Sequence, residues 1–301
     1  MFENIAIIGC GLIGSSILRA IKKNNISKNV TVYDKSKDVL SYLRQENLNA
    51  SLKNDLPTTV ENADLIIIAA PLSSYKEIIT SIKGSIKKNA ILTDTGSAKK
   101  EINIIVEKFN LKDISWIASH PIAGTEDSGP EAGFAELFEK RWSIISPSEK
   151  AKEDDIRKIK IFWELVGSKV KIMSFEEHDH ILSLTSHLPH AIAYNIVRTA
   201  IETGSKFKKD VIQYSAGGLR DFTRIAASDP VMWRDIFINN SKNILNILDS
   251  FSSNLEELKK AIKEKNGDKL IKLFSSTKDF RKEIIKAGQD TKKPDFGRKK
   301  N

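Results

Sequence analysis

The chain has 301 residues, 40% hydrophobic and 29% charged, which suits a folded protein of two domains and excludes a largely disordered one. Its net charge of +9 first suggests nucleic acid, but residues 289–301 hold five basic against two acidic residues, and much of the remaining excess lies in scattered lysines such as Lys22, Lys23, Lys87 and Lys88. No apolar run approaches the ~20 residues of a membrane-spanning helix, the start MFENIAIIGCG lacks the cationic lead-in of a secretory signal, and the single cysteine, Cys10, excludes an internal disulfide, so a reducing, cytoplasmic setting is expected.

In chain order, the first half alternates apolar runs with helical periodicity. NIAIIG (4–9) ends in glycine, and SSILRAIKKNN (15–25) has helical spacing. NVTVYD (29–34) is β-branched and ends in an acid. ADLIIIAAP (63–71) and AILTDTGS (90–97) are continuous apolar runs; SWIASHP (115–121) and RWSIISP (141–147) follow. Residues 151–167 read as a helix closed by Gly167, and SKVKIMS (168–174) as a last strand of the same sheet. Apolar runs separated by helices predict a parallel sheet covered on both faces, a doubly wound α/β unit of Rossmann type. From Phe175 to about Ala287 the pattern is helical, with breaks at Gly204, Gly217-Gly218 and Pro230. The expected division is a dinucleotide-binding domain over 1–175, an all-helical domain over 176–288 and a mobile basic tail over 289–301. A helical domain of ~110 residues can form its own core, with a surplus apolar face left for a dimer.

The sequence Gly9-Cys10-Gly11-Leu12-Ile13-Gly14 follows one predicted strand and opens a helix, the context in which G-x-G-x-x-G binds a dinucleotide. Gly9 permits the tight turn, Gly11 lets the backbone approach a pyrophosphate, and Gly14 lets helix and strand pack closely. The helix N-terminus offers free N–H groups to the phosphates. Asp34, 20 residues beyond Gly14, ends the second strand, where a carboxylate suits the ribose hydroxyls of NAD and repels the 2′-phosphate of NADP. Cys10 reads as a small filler.

Ligands of such sheets bind at the carboxyl ends of the strands. Pro71, Ser97 and His120 fall there. His120 can accept a proton near neutral pH and Ser97 can donate or accept a hydrogen bond, which suits oxidation of an alcohol over a hydride acceptor. The alternatives are that Ser97 caps a helix starting at Ala98 and that His120 is structural. In the helical half, His187 and His190 are three apart, and His178 and His180 two apart. No cysteine or carboxylate partner completes a ligand set, so no metal is expected. Arg224 is a candidate carboxylate clamp, with Arg220 and Arg234 in competition and an Asp221–Arg224 ion pair as the plainer reading.

SHPIAGTEDSGPEAGFAELF (119–138), SHLPHAIAY (186–194) and DFTRIAASDPVMWRDI (221–236) closely resemble the prephenate/arogenate dehydrogenase family of tyrosine biosynthesis. The likeness runs from the glycine loop to about residue 285. It implies an NAD-dependent oxidative decarboxylation of prephenate to 4-hydroxyphenylpyruvate, of arogenate to tyrosine, or both. It implies that His120 accepts the hydroxyl proton and that Ser97 orients His120, the hydroxyl and the nicotinamide. By the same resemblance, His190 lies at the substrate side chain and Arg224 holds a substrate carboxylate. Glu126 and Asp221 join the arginine in a gating ion-pair network, while Thr125 and Trp233 line the same region. The helical domain is implied to form a homodimer, with Arg224 acting across the interface. The family's chorismate mutase and ACT modules have no room in this chain, which implies that tyrosine feedback would act by competition at the active site.

A β-hydroxyacid-type dehydrogenase is a second reading. Its usual catalytic lysine has no counterpart near 186–194. A non-catalytic NAD-sensing module is a third, disfavoured by the joint presence of Ser97, His120, His190 and Arg224.

Overall fold

The computed structural model describes residues 2–203 and 207–288. Eight strands form one sheet: β1 (Asn4–Ile8), β2 (Asn29–Tyr33), β3 (Ser51–Lys53), β4 (Leu65–Ile68), β5 (Ile91–Asp94), β6 (Ser115–Pro121), β7 (Trp142–Pro147) and β8 (Lys169–Ile172). Their spatial order is β3-β2-β1-β4-β5-β6-β7-β8. The first six are parallel, in the order of a dinucleotide-binding sheet. The central strands β1 and β4 bury Ile and Leu on both faces, as their uninterrupted apolar runs require. Between the strands run α1 (Leu12–Lys23), α2 (Lys37–Gln45), α3 (Leu56–Val60), α4 (Tyr75–Ile82), α5 (Lys100–Lys108) and α6 (Glu153–Leu165). The helix after β1 begins at Leu12, three residues earlier than the sequence pattern suggests, because the glycine loop feeds it directly. Gly167, at φ +101°, follows α6 and turns the chain into β8.

One expectation needs correction. β7 pairs antiparallel with β6, and β8 parallel with β7, so the last two strands run against the other six. A parallel return needs a crossover, usually a helix. Residues 122–141 instead form a loop with one short 3-10 turn, Ala135–Phe138. Sequence patterning also passes over α2, β3 and α3. β3 has three residues at the sheet edge and α3 five, too short to show a period.

The chain divides into two compact units. The sheet unit contains the residues up to Pro189 together with Ala227–Asn243; the helical unit contains His190–Ala226 and the chain from Ile244. The remaining helices are α7 (Phe175–Leu182), a π-helical turn (Ser183–His187), α8 (Leu188–Thr203), α9 (Lys208–Gln213), α10 (Gly217–Ile225), α11 (Pro230–Asn239), α12 (Ser241–Lys263) and α13 (Gly267–Lys286). The α7 helix and α11 belong to the sheet unit, tied to it by hydrogen bonds from Asp179 and Asp235. Gly217-Gly218 opens α10, and Pro230 starts α11 behind Asp229, whose side chain accepts the Met232 N–H. Gly204 and the basic tail 289–301 lie outside the described residues. Among the described residues no helix is long and apolar enough to cross a membrane.

Among its described residues the helical unit buries few apolar side chains. Its buried apolar residues are Ala191, Ala193, Ile244 and Ala261, while Ile201, Phe207, Ile212, Tyr214 and Phe280 are each more than 60% exposed.

Candidate active site

The glycine loop sits where β1 and β4 diverge. Gly9 has φ +89°, and a Cβ there would come within 2.5 Å of the Ala69 carbonyl oxygen. A Cβ on Gly14 would lie 2.1 Å from the Gly9 carbonyl oxygen. Both positions therefore demand glycine. Gly11 differs, since a Cβ there would meet nothing within 4 Å. Its missing side chain leaves open space before the N-terminus of α1, where no side chain caps the helix. The Leu12 and Ile13 N–H groups and the positive helix end form a seat for an anion. The Asp34 carboxylate is fixed beside the loop. Its Oδ2 accepts the Cys10 N–H at 2.7 Å and its Oδ1 the Ser36 N–H at 2.8 Å. These residues fit a dinucleotide. Cys10 is fully buried; burial, then the Asp34 charge, pushes its thiol up to about 12, so it stays a neutral filler.

Opposite the loop, residues 122–134 are clamped to α1. Ser15 Oγ donates to the Pro130 carbonyl and Ser16 Oγ accepts the Phe134 N–H. A Cβ on Gly133 would strike Ser15 Oγ at 2.0 Å. Thr125 and Glu126 stand exposed in this loop, and Thr125 Oγ1 accepts the Asp127 N–H.

The rim of the sheet carries Pro71, Ser97 and His120. Pro71 is exposed and precedes a 3-10 turn, Leu72–Ser74. Ser97 is half-buried and its hydroxyl makes no hydrogen bond among the described residues. It does not cap the next helix. That helix, α5, starts at Lys100, and its first N–H groups are received by Asp179 of α7: Lys99 N–H to Oδ1 at 2.8 Å and Lys100 N–H to Oδ2 at 2.9 Å. A carboxylate from another helix thus replaces a local cap.

His120, in β6, has 8% of its surface exposed. Its Nδ1 lies 2.8 Å from His178 Nε2, and His178 Nδ1 lies 2.8 Å from Asp179 Oδ1. His178 and Asp179 are fully buried. Burial first, then the nearby His178, Lys99 and His187, hold His120 well below the usual histidine range. His178 is also lowered, chiefly by burial, against the upward pull of Asp179. Beneath this chain lies a buried ion pair. Lys99 Nζ meets both Asp94 carboxylate oxygens, at 2.8 and 2.6 Å, with 1% and 0% of the two side chains exposed. Asp94 also accepts from the Tyr75 hydroxyl and from the Gly96 and Ser119 N–H groups.

α11 is anchored on the same rim. Asp235 accepts the Ser73 N–H at 2.9 Å and binds the Arg234 guanidinium at 2.6 Å. Arg234 is thereby held on Asp235. Trp233 is buried edge-on to His187 and Phe237. Asn240 donates to the Asp179 carbonyl and contacts His187 Nδ1. His190 on α8, with Asp221 and Arg224 on α10, belongs to the helical unit. The sheet unit thus brings together the glycine loop, Asp34, Pro71, Ser97, His120, Thr125, Glu126 and Trp233.

Sequence reasoning missed His178, Asp179, Lys99 and Asp235 as parts of this arrangement. His178 entered only as half of a metal pair with His180, yet both its ring nitrogens are spent on His120 and Asp179. Among the described residues no three His, Cys, Asp or Glu side chains are grouped to hold a metal ion. The available signal was Asp94 ending an apolar strand with Lys99 five residues on.

Two family models match. Prephenate dehydrogenase, nucleotide-binding domain, covers residues 17–172, and prephenate dehydrogenase, dimerization domain, covers residues 174–276. The chain is 40% identical over 281 residues to cyclohexadienyl dehydrogenase of Zymomonas mobilis, spanning 93% of this chain and 96% of that one. It is 29% identical to prephenate dehydrogenase of Bacillus subtilis over 93% of this chain and 76% of the relative. Its fold matches the crystal structure of Aquifex aeolicus prephenate dehydrogenase in complex with hydroxyphenyl propionate and NAD+, with a TM-score of 0.87, 31% identity, and coverage of 94% and 99%. Sequence and fold agree, and the chain belongs to the prephenate dehydrogenase family.

Proposed function

We propose that this chain oxidises and decarboxylates prephenate, arogenate or both with NAD, and that His120 is its base. The observation that supports this most is His120 itself: a buried histidine, neutral at pH 7, at the carboxyl end of β6. When bound, the nicotinamide accepts a hydride. Residues Gly9, Gly11, Leu12, Ile13 and Gly14 seat the pyrophosphate; Asp34 receives the ribose hydroxyls and disfavours a 2′-phosphate; Pro71 and Ser97 border the nicotinamide. His120 takes the proton of the ring hydroxyl as the hydrogen on the same carbon leaves with its electron pair. The ring carboxylate then departs as carbon dioxide, its bonding pair aromatises the ring, and the phenolate oxygen recovers the proton from His120. Ser97, with an uncommitted hydroxyl, holds the substrate oxygen. His190 and Arg224 face the substrate side chain and a carboxylate; Glu126 and Asp221 complete an ion network with Arg224, and Thr125 and Trp233 shape the pocket.

We assign 1–175 to cofactor binding and 176–288 to substrate binding and homodimer formation. The exposed Ile201, Phe207, Ile212 and Tyr214 support a second copy as the cover. The inert single thiol suits a reducing cytoplasm. The test is initial rates of nicotinamide reduction with prephenate and arogenate, each with NAD and NADP, alongside the molar mass in solution. Turnover with NAD and a dimeric mass are expected. Absent turnover in a folded, NAD-binding protein refutes the activity, and a monomeric mass refutes the assembly.

A further inference from the structure

His178 has no place in the mechanism above, yet it is the direct partner of His120. We propose that His178, oriented by Asp179, is a positioning residue that fixes the ring tautomer of His120 so that its Nε2 faces the substrate as a proton acceptor. The inference rests on His120 being the base.

Both Asp179 oxygens accept backbone N–H groups, those of Lys99 and Lys100, and a backbone N–H can only donate. The hydrogen between Asp179 Oδ1 and His178 Nδ1 therefore sits on Nδ1. A neutral His178 then has a lone pair on Nε2. That lone pair faces His120 Nδ1 at 2.8 Å, so His120 carries its hydrogen on Nδ1 and keeps Nε2 open. The reverse tautomer would set two lone pairs against each other in a buried site.

The surroundings keep His178 neutral. Lys99, on the approach to α5, disfavours a charge on both rings; Asp94, on β5, is paired with Lys99; His187, on the π-helical turn, disfavours a charge on His120; and Asp179, on α7, takes the His178 hydrogen bond. Asn240, just after α11, ties α7 down by donating to the Asp179 carbonyl. Strand β6, helix α7 and the start of α5 thus meet to orient one imidazole.

The test compares His178→Leu, which removes the acceptor, with His178→Gln, whose carbonyl oxygen can accept from His120 while its amide donates to Asp179. With only five histidines in the chain, long-range proton–nitrogen correlation spectra can read each ring's tautomer. The expected results are an Nδ1–H tautomer for His120 in the unmodified protein, and a fall in kcat of ~10²-fold or more in His178→Leu with KM and NAD affinity little changed. His178→Gln recovers to within about tenfold of the unmodified chain. An Nε2–H tautomer in the unmodified protein overturns the proposal. So does full kcat in His178→Leu, or a Gln variant no better than Leu. If the Leu variant does not fold, the unmodified spectrum and the Gln variant carry the test. His120→Asn is measured in parallel: normal kcat there refutes the base assignment itself, whereas loss there with a normal His178→Leu refutes only the positioning role.

Discussion

Replacing Lys99 with Met probes the buried pair that underlies the site. The methionine fills most of the volume but removes the cation that meets both Asp94 oxygens. Removing one partner of a buried pair costs ~3–5 kcal/mol, because the other charge stays buried. Asp94 retains the Tyr75 hydroxyl at 2.9 Å and the Gly96 and Ser119 N–H groups at 3.0 Å, which sets the expected loss at the lower end, ~3 kcal/mol. For an m-value of ~3 kcal/mol per molar urea, the midpoint falls by ~1 M. The assay is convenient, because Trp116, Trp142, Trp163 and Trp233 all lie in the sheet unit with Lys99, so tryptophan fluorescence reads that unit. The double variant Asp94→Asn with Lys99→Met removes both charges and is expected to regain at least half of the loss. Lys99 also helps hold His120 down, so its removal lets that value rise and moves the acid limb of kcat/KM to higher pH. A midpoint shift under ~0.3 M, or a double variant no more stable than the single one, refutes the reasoning.

Four further outcomes are expected. His120→Asn lowers kcat by ~10²–10⁴, the scale of a lost general base, with NAD binding kept; stopped-assay and binding measurements check both. Arg224→Ala raises KM by ~10–100-fold, the equivalent of ~1.5–3 kcal/mol for a charged hydrogen bond, and an unchanged KM returns the clamp role to Arg220 or Arg234. Asp34→Ala narrows the ratio of kcat/KM between NAD and NADP; a ratio that does not move refutes Asp34 as the discriminator. Stability falls as pH drops below ~6.5, where unfolded histidines take up protons while the lowered His120 and His178 do not. Urea midpoints at several pH values test this, and the His120→Asn, His178→Gln pair should flatten the slope.

The sequence by itself determined the sheet and its cofactor end. Apolar runs of four and six residues before Gly9 and Pro71, and of three within AILTD (90–94) and SWIASHP (115–121), are local signals, because a buried parallel strand is apolar along most of its length. The glycine spacing was equally local: Gly14 answers to the Gly9 carbonyl five residues away and Gly9 to the neighbouring strand end at Ala69, while Gly11 leaves open space. The His120 position was legible for the same reason, as the end of a strand. What only the tertiary structure decided depends on partners far apart in the chain. The reversal of β7 depends on where loop 122–141 packs, and that is set by Ser15, Ser16 and Gly133 meeting across more than a hundred residues. The sequence could not show that Asp179 caps α5 eighty residues before it, or that His178 faces His120 across fifty-eight. Charged and aromatic side chains of this kind look like solvated surface in a linear chain. They become a chain of oriented hydrogen bonds only when folding removes the water and leaves each donor a single acceptor.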